Sequence, residues 1–375
     1  MPLTLNNPRG IGNLPRGILA VGLAAVLFGA TACANSDQPS SGGGVSLDKG
    51  FKIGLLLPES KTTRYESFDR PLIEKKLKEL CPKCEVLYQN ADQDSNKQQS
   101  QAESMLTQGA KVLILDAVDA KAAGGIVSQA KQQSVPVVAY DRLASGPVDY
   151  YVSYDNRSVG EVQGKTLLDA VSKKGNPKSG KIVMINGSPT DPNAADFKAG
   201  AHSVLDGKVT IGKEYDTPDW SPDKAQQEME QAITALGKDK IIGVYAANDG
   251  TAGGAIAAMK SAGFTTIPPV TGQDAELAGI QRIIAGEQNM TVYKAIKPEA
   301  DIAAKMAVAL ATGKKYDGKT TTKDNGDAKV PSVLLAPVAV TKDNVKDTII
   351  ADKFYSVNQI CAGEYAKACA AAGIS

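Results

Sequence analysis

From Lys52 onward, short runs of valine, isoleucine and leucine alternate with amphipathic stretches, and this alternation restricts the chain to very few architectures. The runs KIGLLLP, CEVLYQN, KVLILDA, PVVAYD, YYVSYD, KIVMINGS, IIGVYAAN and MTVYK read as strands. Several are apolar at consecutive positions, as parallel strands buried on both faces require. The intervening segments carry helix ends. Ser221-Pro222-Asp223 opens a helix through QQEMEQAITAL that stops at Gly237, with proline at the first helical position and glycine just past the last. Similar helices are expected after Asn96, Asp119, Asn156 and Asp249. A βαβ pattern throughout implies an α/β fold of doubly wound parallel sheets. About 325 residues follow Phe51, more than one ordinary core accommodates, so two such lobes are expected.

The first 33 residues are set apart from this pattern. Arg9 and Arg16 precede an apolar run from Ile18 to Ala32, and Ala30, Thr31 and Ala32 lead into Cys33, the layout of an export signal. The run is too short for a membrane span of about 20 residues. The cysteine at its end resembles a bacterial lipobox, in which Cys33 would become the lipidated first residue. Ala30 stands where that motif usually has leucine, which leaves ordinary signal-peptidase cleavage as the alternative. Residues 34–50 are small and polar without periodicity and read as a flexible tether. The expected product is an extracytoplasmic protein, anchored at the outer face of the cell membrane or periplasmic. An oxidising compartment favours disulfides, and proximity in sequence pairs Cys81 with Cys84 and Cys361 with Cys369. Eight residues of straight helix rise about 12 Å, so Gly363 or its neighbourhood must break any helix there.

Formal charge is +1, from 42 basic and 41 acidic residues without basic blocks, which argues against nucleic acid or an anionic membrane surface as the main ligand. In doubly wound sheets ligands sit beyond the carboxyl ends of the strands. Those ends carry Lys61, Arg64 and Tyr65; Asp141 and Arg142; Asp191 and Asn193; Asn248 and Asp249; Asp274; and Lys294. Trp220, the only tryptophan, lies in the polar loop DTPDWSPD. Each taken alone reads most simply as a cap or a loop residue. Together they form the residue set a pyranose needs: carboxylates and amides that pair with hydroxyls, cations that only donate, and flat rings for the C–H faces. Asp141 and Arg142, two adjacent charges closing an apolar strand, are expected to pair with each other and with ligand hydroxyls, offsetting their desolvation.

The blocks AYDRL, DYYVSYDNRSVGEVQGKTLLDAV, NGSPTDPNA, AANDGTAGGAI, GQDAELAGIQRI and MTVYK resemble, in this order, the ribose/galactose-type sugar-binding family of bacterial ABC transporters, and within it the D-xylose binders. The similarity runs from about Lys52 to about Phe354. It implies the type I periplasmic binding protein fold, with lobes at 51–155 plus 295–335 and at 156–294 plus 336–375. Three crossings, near Asp155-Asn156, Lys294-Ala295 and Leu335-Pro337, would form a hinge between them. It places sugar contacts on Arg64, Asp141, Arg142, Asn193, Asn248, Asp274 and Lys294, with Tyr65 and Trp220 as stacking rings. It implies a monomer that captures a monosaccharide, D-xylose first and glucose or another aldose as the alternative, for a membrane ABC permease or a chemoreceptor. No catalytic group, metal or cofactor is implied. Three positions depart from the pattern: Tyr65 replaces tryptophan, Pro192 replaces the first asparagine of a DNNA motif, and Lys61 replaces arginine.

Rival readings fare poorly. His202 is the sole histidine, so any Ser/His/Asp triad would rest on it alone. In Gly160-Glu161-Val162-Gln163-Gly164-Lys165-Thr166 three residues separate the glycines where a phosphate loop has four. Cys81 and Cys84 follow a helix rather than open one, unlike a redox dithiol, and export disfavours a four-cysteine zinc site. Asp92, Asp94, Asn96 and Glu103 have calcium-loop spacing, but Lys97 occupies the position that needs glycine; Asn96 reads instead as a helix cap. A repressor of the same bilobal fold would carry a helix-turn-helix where this chain has a signal and tether.

Overall fold

The computed structural model describes residues 45–374; the expected export signal with Cys33, the tether up to residue 44 and Ser375 lie outside them. The fold begins at Val45, whose N–H bonds the Ala311 carbonyl at 3.0 Å, so the last residues of the expected tether belong to the folded unit.

The strands are β1 (Lys52–Leu57), β2 (Glu85–Asn90), β3 (Ala110–Leu115), β4 (Val137–Tyr140), β5 (Tyr150–Tyr154), β6 (Lys181–Asn186), β7 (Ile211–Asp216), β8 (Ile241–Ala246), β9 (Thr291–Tyr293), β10 (Thr321–Asp324), β11 (Lys329–Leu335) and β12 (Val338–Val340). Seven form one sheet in the order β10-β11-β5-β4-β3-β1-β2, parallel except for β10. A second sheet, β7-β6-β8, is parallel, and single bridges at Val244–Val270 and Gln273–Val292 lead from it to the antiparallel pair β9-β12. The helices are α1 (Arg70–Leu80), α2 (Ser95–Thr107), α3 (Ala123–Gln132), α4 (Asn156–Lys174), α5 (Pro192–Leu205), α6 (Pro222–Leu236), α7 (Asp249–Ser261), α8 (Leu277–Ala285), α9 (Ile296–Ala311), α10 (Val357–Ile360) and α11 (Ala366–Ala371).

All eight strands read from the sequence are present, and all but the edge strand β2 are mostly buried: β1 and β3 feed Leu55 and Ile114 to the α1/α9 side, and Leu56 and Leu113 to the α2/α3 side. The second sheet is sandwiched likewise, with α4 and α5 on one face and α6 and α7 on the other. Strands β7 and β10, IGKEYD and TTKD, escape sequence reading because they carry no continuous apolar run. The chain passes between the two sheet systems at the three expected places: after β5, between β9 and α9, and between β11 and β12.

Several local expectations change. Asp94, not Asn96, caps α2, accepting the backbone N–H groups of Asn96 and Lys97 at 2.8 and 3.1 Å, and the supposed calcium ligand Asp92 pairs with Lys97 instead. Asn248, not Asp249, caps α7 through a reciprocal capping box with Thr251. The glycines of the phosphate-loop decoy lie inside α4 and let α5 approach: a Cβ on Gly160 would sit 1.9 Å from the Phe197 carbonyl oxygen. His202 occupies the last turn of α5, its two ring nitrogens 2.8 and 3.1 Å from Asp206 and Glu214. Both disulfides form as paired from the sequence, Cys81–Cys84 between α1 and β2, and Cys361–Cys369 across a break between α10 and α11 that includes Gly363 at φ 60°.

Candidate functional site

The carboxyl ends of the two sheets face each other across a narrow, nearly closed polar cavity. Of the nine side chains expected from the sequence, Tyr65, Asp141, Arg142, Asn193, Trp220, Asn248, Asp274 and Lys294 line it, and Arg64 stands behind the wall. Thr62, Asp191, Phe197 and Gln273 complete the lining. Asp141 and Arg142 leave the end of β4; Asp191 and Asn193 open α5; Trp220 precedes α6; Asn248 opens α7; Asp274 follows the bridge to β9; Lys294 ends β9.

The adjacent charges Asp141 and Arg142 do not pair with each other as expected. Asp141 takes a left-handed backbone conformation, φ 53°, which turns the two side chains to different partners. Its Oδ1 accepts from Arg64 at 3.0 Å and lies 3.7 Å from Lys294 Nζ. Burial pushes the Asp141 pKa up, but Arg64, Lys294 and Arg142 outweigh it and hold the carboxyl below the ordinary range, so it stays a charged acceptor. Lys294 also meets Asp274 at 3.2 Å. Arg64 is spent on protein: Nε and one terminal nitrogen donate to Asp69 at 2.9 and 2.7 Å, and that same terminal nitrogen reaches Glu299 of α9 at 3.1 Å. Burial raises Glu299 far enough to hold its proton near neutrality, against the pull of Arg64.

Arg142 is cradled from three sides. Its Nε lies 2.9 Å from Asp191 Oδ2, one terminal nitrogen donates to the Ala117 carbonyl at 3.3 Å, and the other donates to the Tyr65 hydroxyl at 3.1 Å. Of the five N–H donors on a guanidinium, this leaves some for a ligand. Asp191 also accepts Trp220 Nε1 at 3.0 Å and caps α5 through the backbone N–H of Asn193 at 2.8 Å. Its carboxyl is raised by burial, with Arg142 pulling the other way. Asn193 Nδ2 reaches across to the Asp141 carbonyl at 3.0 Å. Trp220 packs edge-on to Phe197 at 6.4 Å, and Lys294 Nζ lies 5.6 Å from the Phe197 centroid, so the apolar wall is Trp220 with Phe197. Gly187 makes room for the indole, whose nearest atom lies 2.1 Å from where a Cβ would stand.

Sequence reading missed several of these residues for identifiable reasons. Asp191 stands in the strand-end set but outside the contacts the resemblance implies, and it serves also as the cap of α5. Asp116, at the end of KVLILDA, sits 3.7 Å from Arg142 Nε with both carboxylate oxygens buried and unpartnered by hydrogen bonds. It followed the same strand-end rule and should have been found by it. Phe197 and Glu299 occupy helix positions that look like ordinary core and surface, and only tertiary packing brings them here.

Residues 53–315 match the family described as periplasmic binding protein domain. The chain is 39% identical over 318 residues to the D-xylose-binding periplasmic protein of Escherichia coli (strain K12), covering 83% of this chain and 93% of that protein. The D-xylose-binding periplasmic protein of Haemophilus influenzae is 38% identical over the same length, covering 83% and 92%. Among solved structures, an ABC transporter solute-binding protein from Clostridium phytofermentans with bound β-D-glucose superposes with a TM-score of 0.77 at 30% identity, covering 82% of this chain and 99% of that one. With two doubly wound sheets joined at three crossings and a small polar cavity between their carboxyl ends, the chain belongs to the periplasmic binding protein family and has its type I fold.

Proposed function

We propose that this chain is the extracytoplasmic solute-binding component of an ABC importer, capturing one monosaccharide, D-xylose first, between lobes at 51–155 plus 295–335 and 156–294 plus 336–375. The observation that carries the reading is the composition of the cavity. Carboxyl acceptors (Asp141, Asp274), cationic donors (Arg142, Lys294), amides (Asn193, Asn248) and two rings (Trp220, Phe197) surround one small polar cavity. Each hydroxyl of a sugar is both donor and acceptor, and the buried charges of the wall are already neutralised by one another, so the ligand enters a polar but electrically balanced site. Asn248 spends its Oδ1 on Thr251 and offers Nδ2 to the cavity. Relatives from two bacteria bear the name D-xylose-binding, and a solved neighbour holds β-D-glucose. D-glucose is therefore the second ligand to test.

Three crossings suit a hinge. With sugar bound, Arg142 and Asp191, and Asn193 and Asp141, meet across the cleft, and a permease distinguishes that state from the open one by shape. Delivery needs no catalytic group. In this reading Cys33 carries the lipid that anchors a monomeric binder to the membrane. The test is calorimetric titration of the chain from Ala34 onward with D-xylose, D-glucose, D-ribose and L-arabinose, followed in parallel by the emission of Trp220. Saturable binding near the micromolar range, about 8 kcal/mol, supports the reading; heatless titrations with all four sugars refute it.

A further inference from the structure

Tyr65 stands where the resemblance expects a tryptophan ring to stack on the sugar, and its surroundings do not suit stacking. It is buried at the start of a π-helical turn, Tyr65–Asp69. The guanidinium carbons of Arg64 and Arg142 lie 5.3 and 5.6 Å from its ring centroid, within cation–π reach, so the ring already meets cations of the protein. Its hydroxyl accepts from the Arg142 terminal nitrogen at 3.1 Å and donates to Asp141 Oδ2 at 3.5 Å. Burial pushes the pKa of that hydroxyl up, so it keeps the proton it donates. Tryptophan has no atom that both accepts and donates in this way.

We propose that Tyr65 is a positioning and specificity-determining residue: its hydroxyl ties the Arg142 guanidinium to the Asp141 carboxylate, fixing the distance between a ligand-facing donor and a ligand-facing acceptor. The inference rests on the sugar-binding reading. Arg142 and Asp141 are consecutive residues whose side chains diverge, and no hydrogen bond joins them directly among the described residues; Tyr65 is the side chain that touches both. D-Ribose and L-arabinose each differ from D-xylose in the placement of a single hydroxyl. A rigid donor–acceptor pair rejects the misplaced hydroxyl, because a buried group is then left unpaired. A loose pair swings to meet it.

The experiment titrates wild type, Tyr65→Phe and Tyr65→Trp with the three pentoses and D-glucose by calorimetry, with melting curves of each unliganded protein. Tyr65→Phe keeps the ring and loses only the hydroxyl. The expected result is a loss of about tenfold for the tightest-bound sugar, a smaller loss for its epimers, and so a narrower preference ratio. Melting temperatures stay unchanged, and Tyr65→Trp does not restore affinity. Wild-type affinity in Tyr65→Phe or Tyr65→Trp returns the residue to a stacking role and overturns the inference. So does an equal loss for every sugar, which would mark a merely structural contact. Absence of binding by the wild type overturns the sugar reading itself and this inference with it, whereas the other outcomes leave that reading standing.

Discussion

Asp191→Ala separates what holds the fold from what holds the ligand. Asp191 makes three contacts: the cap on α5, the bond from Trp220 Nε1 and the pair with Arg142 Nε at 2.9 Å. The first two lie within the segments around the second sheet, whereas Arg142 belongs to the end of β4. Losing the cap costs about 1 kcal/mol of folding stability, or roughly 2–4 °C in melting temperature. The Arg142 pair joins the two sheet systems, with both side chains buried to within 3% of their surface. Removing one partner of a buried ion pair leaves the other uncompensated and costs about 3 kcal/mol or more, so affinity should fall by roughly a hundredfold or more. The assay is calorimetric titration with the best sugar, beside melting curves without it. Asp196→Ala is the control: Lys323 and Asp196 also join the two sheet systems, at 2.9 Å, but both are more than a third exposed. An exposed pair contributes under about 1 kcal/mol, so that variant should bind within a few-fold of wild type. Unchanged affinity in Asp191→Ala, or equal losses in the two variants, would refute the argument that burial decides which cross-cleft pair matters.

Asn248→Ser keeps a capping oxygen for α7 but removes Nδ2, so it should melt like wild type and bind about tenfold more weakly; loss of stability without loss of affinity would confine Asn248 to its cap. Gly187→Ala places a methyl group 2.1–2.6 Å from the Trp220 ring and should shift the tryptophan emission and weaken binding; an unchanged spectrum would mean the loop yields at no cost. Stability should rise as pH falls from 8.5 to 5.5. Burial raises the folded pKa of Asp249 to about 7 and of Glu276 to about 8, so these groups keep protons that the unfolded chain releases near pH 4. Such groups cost stability as pH rises. His202, lowered by burial but raised on balance by Glu214 and Asp206, contributes stability below its unfolded pKa that is lost above its folded one, the same direction. Asp141 and Glu214, whose pKa values are lowered, lose their contribution only below pH 4, outside this window. A melting temperature flat or rising between pH 5.5 and 8.5 would contradict this account.

How much of this was legible depended on whether the signal was local. Continuous apolar runs such as KVLILDA and IIGVYAAN gave the buried strands, because a strand covered on both faces must be apolar at every position. Strands β7 and β10, IGKEYD and TTKD, are not legible, since neither carries such a run. Strand ends pointed to Asp141, Arg142, Asn193, Asn248 and Lys294 because the doubly wound fold dictates where ligands sit. What the rule could not give was partnership. Arg64 was read as a ligand contact from its place in the chain, yet its donors go to Asp69, Asp141 and Glu299, and Glu299 is 235 residues away. Asp191 and Asn248 were each weighed as site or cap, and in the structure each is both: one oxygen holds a helix while the rest of the side chain faces the cavity.

Backbone strain marks the same residues. Asp141, Trp220 and Asp274 have φ of 53°, 53° and 81°, a region that costs a non-glycine residue on the order of 1–3 kcal/mol. Such conformations persist only where surrounding contacts over-determine them. Asp141 donates its N–H to the Val152 carbonyl at 2.9 Å, and its own carbonyl accepts from Tyr151 at 3.0 Å. Asp274 donates its N–H to the Val292 carbonyl at 2.9 Å, and the Trp220 indole is tied to Asp191. The left-handed turns set the direction in which these three side chains leave the backbone, and all three line the cavity. The cavity's acceptors and its principal ring are therefore aimed by backbone geometry that the folded scaffold imposes before any ligand arrives. The cost of that geometry is borne by the fold, and a sugar that enters meets groups already oriented, with little rotamer entropy left for binding to remove.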